Sequence, residues 1–149
     1  APFVPTPVYL LLMNPRSATD GFECTVTLTG APHFILSTVL GGTGALDVDA
    51  STNGFAVGAA ANYPVVHGAC VLVTFSVMLQ AFSELQFRIT QASIPSLPGG
   101  LPVVTGDGVL RRGGVSSGDV CIPVLGFNAA MCPVSDEARS FGDVKSLFR

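Results

Sequence analysis

Few residues in this chain have types and spacing suited to chemistry. Gly114-Val115-Ser116-Ser117-Gly118 fits GxSxG, the pattern that in hydrolases lifts a nucleophilic serine onto a sharp strand-to-helix turn. The surroundings do not support that use. Asp119 to Leu125 contains Pro123 and β-branched residues and does not read as a helix, while both histidines, His33 and His67, precede the serine instead of following it. A Gly/Ser loop is the better reading. Asp47-Val48-Asp49-Ala50-Ser51-Thr52-Asn53-Gly54 opens like a calcium loop, with side-chain oxygens at positions 1, 3 and 5. It then puts Thr52 where the sharp turn needs glycine and Gly58 where a bidentate glutamate belongs, so it reads as a polar turn between strands.

The ten carboxylates fall mostly in turns and on the solvent faces of strands, and no acid/base pair stands out among them. Two isolated histidines make a poor metal site. The sequence thus leads to no catalytic residue, no metal, no cofactor and no enzymatic activity.

Four cysteines lack the CxxC spacing of a metal site. Cys121 and Cys132 enclose a loop with Pro123, Gly126 and Asn128, and a disulfide there would contribute about 2–3 kcal/mol. Cys24 and Cys70 each fall mid-strand, which leaves open whether they bridge or stay buried thiols. Disulfides would place the protein outside the cell or on its surface. The start at Ala1-Pro2, without a secretion signal, fits a processed chain or a trimmed fragment. No Asn-x-Ser/Thr sequon is present.

The elements that position these residues are short strands. Period-2 alternation puts Phe22, Cys24, Val26 and Leu28 on one face of Gly21 to Thr29, with Glu23, Thr25, Thr27 and Thr29 on the other. Glu84 to Thr90 alternates in the same way. In Ala69 to Leu79, Val71, Val73, Phe75, Val77 and Leu79 read as one face, and Cys70, Leu72, Thr74, Ser76 and Met78 as a half-apolar second face that something should cover. Val8 to Met13 is apolar on both faces, as expected of a strand buried on both sides or covered by a partner.

Weaker strands are expected over Phe34 to Leu40, Ala45 to Val48, Phe55 to Val57, Val103 to Thr105 and Val109 to Arg111. Eight or nine short strands punctuated by 17 Gly and 11 Pro predict an all-β fold, an immunoglobulin-like or jelly-roll sandwich over residues 1–118. A cysteine-bearing tail, 119–149, is expected to pack on that domain or on a neighbour. Within it Ser135 caps a short helix that presents Phe141, Val144 and Phe148 on one face, an alternative to a frayed terminus.

Composition narrows the partners. Only 11% of residues are charged, against about 25% in ordinary soluble domains, and net charge is −3. One lysine and six arginines exclude a nucleic-acid-binding face. Mean hydropathy is +0.57, but the longest apolar run, Val8 to Met13, falls far short of the ~20 residues of a transmembrane helix. Without tryptophan and with only Tyr9 and Tyr63, a flat sugar-binding platform is disfavoured.

Three segments carry a resemblance to the cohesin-type β-sandwich of secreted and cell-surface bacterial proteins: Gly21 to Leu28, Ala69 to Val77 with its A-x-hydrophobic-x-F-x-V pattern, and Val103 to Leu110. The resemblance spans Val8 to Gly114. It implies an immunoglobulin-like sandwich, and a family function of binding dockerin partners through one sheet face, although no residue set transfers that site. The first edge strand of the family pattern is missing at the start of the chain. This absence, with the scarcity of charge, leads to the functional expectation of a secreted structural subunit that self-assembles into a filament or surface layer, by exchange of Ala1 to Thr6 or Val120 to Phe127 between copies. Val4, Val8, Leu10, Leu12, Phe141, Val144 and Phe148 are the expected assembly residues. The rival expectation is a protein- or carbohydrate-binding module of a larger secreted assembly.

Overall fold

A computed structural model describes residues 1–129. It contains no helix among them and ten strands: β1 (Pro5–Met13), β2 (Gly21–Gly30), β3 (His33–Leu40), β4 (Leu46–Asp47), β5 (Gly54–Gly58), β6 (Ala69–Leu79), β7 (Leu85–Thr90), β8 (Val103–Gly106), β9 (Val109–Arg112) and β10 (Leu125–Phe127). They form a β-sandwich. One sheet has the order β1-β6-β3, and the other runs β10-β7-β2-β5-β4, with β8 pairing β2 and β9. Every pairing is antiparallel.

The alternating residues of both sheets meet in one core. Val8 and Leu10 of β1 and Val73, Phe75 and Val77 of β6 face Phe22, Cys24 and Val26 of β2, Phe55 of β5 and Phe87 of β7. The Phe55 and Phe75 rings join the layers edge to face, with centroids 5.9 Å apart and planes at 71°. Burying each such side chain contributes roughly 1.5–3 kcal/mol.

β6 departs from simple alternation. Leu10 lies opposite Val73 and Leu11 opposite Val71, so Leu72 has no partner on β1 and forms a bulge. The Leu72 carbonyl accepts a hydrogen bond from the Gly41 amide at 2.8 Å. Because the bulge turns Leu72 and Val73 both inward, Cys70 and Leu72 join the core and Val71 faces outward. The expectation that Val71 shares the face of Val73 is thereby corrected: the extra residue shifts the phase of the strand halfway along it. β3 carries a matching irregularity at Leu36, between the pairs Ile35 with Val77 and Ser37 with Ser76.

β7 and β8 occupy the same edge of β2 in succession, β7 along Thr25–Gly30 and β8 along Gly21–Glu23. The chain between them makes an excursion held by side chains. Glu23, expected to face solvent, is buried there, its carboxylate accepting hydrogen bonds from the Ser96 amide at 2.6 Å and the Ser96 hydroxyl at 2.8 Å.

β10 has no counterpart among the expected strands. It pairs with β7, and Arg88 holds the approach to it by donating to the Cys121 carbonyl at 3.0 Å. The described part of the tail therefore packs on its own domain. The expected helix at Ser135, with Phe141, Val144 and Phe148, lies outside the described residues, as does Cys132.

Candidate functional site: an uncharged sheet face

β1, β3 and β6 contain no Asp, Glu, Lys or Arg, and among the described residues these three strands are the whole of one sheet. Register places their outward residues in rows: Pro5, Met78 and Phe34; Tyr9, Thr74 and Val39; Leu11 and Val71; Met13 and Ala69. Relative exposure is 55% for Tyr9, 57% for Met13, 50% for Phe34 and 59% for Val39. This is a largely apolar surface with no charged side chain from its strands, interrupted by Thr74 and by the row Pro7, Ser76 and Ser37. Val65 and Val66, just before β6, are exposed as well, and Val66 bridges to Ala69. Monomeric soluble proteins rarely expose large apolar patches.

The same sheet has two open sides. Among the described residues, no strand pairs with the free edges of β1 and β3. Pro5 and Pro7 remove two amide donors from the first half of β1, a usual protection of an edge, while Val8–Met13 has no such guard.

The residues expected in assembly are divided by this geometry. Val8 and Leu10 are buried in the core and Leu12 packs against it, so the outward surface of β1 belongs to the alternate set, Tyr9, Leu11 and Met13. Among the described residues nothing covers the outer face of β1. Val4 is exposed. Both expected exchange arms pair within the chain: Phe3 donates to the Leu79 carbonyl, Pro5 and Thr6 lie opposite Met78 and Val77, and Leu125–Phe127 lies along β7.

The chemistry-bearing residues are not brought together. Ser116 lies in a turn closed by the Gly118 amide on the Val115 carbonyl, His33 binds the Ala31 carbonyl through Nδ1, and His67 occupies the turn before β6. Asp47 and Asp49 serve their own turn. Asp47 Oδ1 accepts from the Asp49 and Ala56 amides, and Asp49 accepts from the Ser51 amide and the Ser93 hydroxyl. The Ser51 and Ser93 bonds hold the Asp49 carboxyl below its ordinary value. No cluster of three metal-type ligands occurs among the described residues.

Cys24 and Cys70, left open between bridge and thiols, are buried free thiols on different sheets, Cys24 opposite Phe55 and Cys70 opposite Leu12. Burial, with smaller contributions from the Asp47 and Glu23 carboxylates, pushes the Cys24 thiol up to about 12. A thiol so far from ionisation is a poor nucleophile. No disulfide occurs among the described residues: Cys121 is exposed, and Cys132, its expected partner, lies outside them.

A second feature lies between the sheets. A cleft of about 1000 Å³ runs beside β1 and is walled mainly by apolar side chains, among them Leu12, Val26, Phe87 and Ile89. Arg16, Arg111 and Arg112 line it as well.

Comparison with protein-family models, curated proteins and solved structures gives no match for the chain.

Proposed function

We propose that this chain is a structural subunit that self-associates through the outer face of the β1-β6-β3 sheet, building an extracellular filament or surface layer and carrying out no chemistry itself. The uncharged sheet is the observation that carries this reading. An isolated sandwich with one face in water is expected to alternate apolar inward with polar outward. Here β1 is apolar on both sides, and the sheet opposite carries Glu23, Arg88, Arg111 and Arg112, so the low overall charge is not spread evenly over the molecule. Packing against a second copy removes the exposed surface from water at about 25 cal/mol per Å² of apolar area, before the costs of association.

The two open edges add direction. Pairing the β1 edge of one copy with the β3 edge of the next is a head-to-tail contact, and such contacts that do not close give a fibre. The setting outside the cell rests on the expected Cys121 to Cys132 bridge alone. Electron microscopy of the concentrated chain tests the reading: filaments or sheets support it, and dispersed monomers at high concentration contradict it.

The cohesin resemblance favours a second reading, a module that binds a different protein through the same face. Saturable 1:1 binding of a secreted partner by a stable monomer, blocked by a charge on that face, distinguishes it from self-assembly.

A further inference from the structure

The cleft between the sheets is an opening in what is otherwise a packed core. Protein interiors are filled to crystal-like density, and apolar walls left open to water forfeit both burial and dispersion contacts. A space of about 1000 Å³ is large enough for several side chains. Its lining also carries polar groups with unmet capacity. The Ser17 hydroxyl is buried without a hydrogen-bond partner, and Ser17 lines the cleft. Arg111 donates to the Ala18 carbonyl at 3.1 Å and Arg112 to the Pro98 carbonyl at 2.8 Å, both neutral acceptors. Arg16, also on the lining, is exposed. An occupant that fits is therefore mostly apolar, carries acidic groups for three guanidiniums and offers a polar atom to Ser17.

One segment of this chain can supply both kinds of group. Residues 130–149 hold six large apolar side chains (Met131, Val134, Phe141, Val144, Leu147 and Phe148) and three acids (Asp136, Glu137 and Asp143), with Arg139, Lys145 and Arg149 balancing the acids in net charge. The segment is tethered beside the cleft, because Val124 and Leu125, only a few residues before it, line the opening. A short tether gives a high effective concentration and lowers the cost of docking. We infer that the cleft is the docking site for residues 130–149 of the same chain, which close the core beside β1. The inference does not depend on self-association through the outer sheet face.

The test uses the full chain with a photoreactive benzoylphenylalanine in place of Leu12, and separately of Ile89, so that a fold lost at one position does not remove the measurement. Irradiation followed by peptide mapping is expected to join both positions to peptides from 130–149 in the monomer band. Arg16→Glu with Arg112→Glu is expected to reduce that cross-link severalfold, and reversing Asp136, Glu137 and Asp143 to arginine in the same chain to restore it. Cross-links to 130–149 found only in a dimer band assign the cleft to a neighbouring copy and overturn the inference. Cross-links to other segments, or to a co-purified small molecule, overturn it as well.

Discussion

Leu11 lies directly opposite Val71 on the outer face of the three-stranded sheet, each 43% exposed. The pair exists because Leu72 is an extra residue in β6. Without that bulge, Val71 would face the core beside Val73, and Leu11 would have a different neighbour. The bulge thus moves apolar surface from the core to the outside.

The two faces of the sheet should respond differently to truncation. Phe75→Ala removes a ring packed against Phe55 across the sheets and is expected to cost about 3–5 kcal/mol in denaturant unfolding of the monomer. Tyr9→Ala, on the opposite face, is expected to change monomer stability by no more than about 0.5 kcal/mol. Similar losses at both positions would mean that the outer face is already covered within the chain.

Gly30 ends β2 at a φ of 117°, and a Cβ there would run into the Glu84 carbonyl. Only glycine adopts that backbone without strain. Gly30→Ala is expected to destabilise the fold by roughly 1–3 kcal/mol, read as a lower thermal midpoint. An unchanged midpoint would show that the turn into β3 can shift freely.

Much of this fold is legible in the sequence. β2 and β7 show their inward rows as unbroken alternation, and the shorter strands β3, β4, β5, β8 and β9 appear near the expected positions. β6 is only half legible. Cys70, Val71, Leu72 and Val73 are all apolar, so nothing in that run marks where the phase changes; the bulge is visible only against β1. β10 is hidden because Gly126 lies at its centre and Pro123 and Asn128 flank it, turn residues that mask three residues held by β7. The outward position of Tyr9, Leu11 and Met13 is likewise unreadable in an all-apolar run. What does show in the sequence is the missing charge, though not that it is missing from one sheet.

Glu23 pins the excursion between β7 and β8 by accepting two hydrogen bonds from Ser96. Glu23→Ala leaves the Ser96 amide without that acceptor and is expected to cost about 1–3 kcal/mol. Limited proteolysis should show faster cleavage within Ser93–Leu101, while cutting elsewhere stays unchanged. Equal cleavage of variant and parent would show that other contacts hold the excursion.

The Cys24 thiol gives the fold an alkaline limit. Its folded value of about 12 lies above the ordinary thiol value of 9.0, so above pH 9 the unfolded chain loses a proton that the folded chain retains. Stability from this group is complete below pH 9 and is lost as pH rises toward 12, with a slope of at most about 1.4 kcal/mol per pH unit. Cys24→Ala should flatten the decline in unfolding free energy over this window. An identical slope in parent and variant would contradict the buried thiol.

Sedimentation velocity over a concentration series, comparing the parent chain with Leu11→Lys combined with Val39→Lys, tests the central claim most directly. Both substitutions lie on the outer face and leave the core untouched, so the variant is expected to keep the circular dichroism spectrum of the parent. The account predicts that the parent sediments as species that grow with concentration, and that the doubly charged variant stays a monomer throughout. A parent that remains monomeric at the highest concentration, or a variant that assembles as well as the parent, would contradict it.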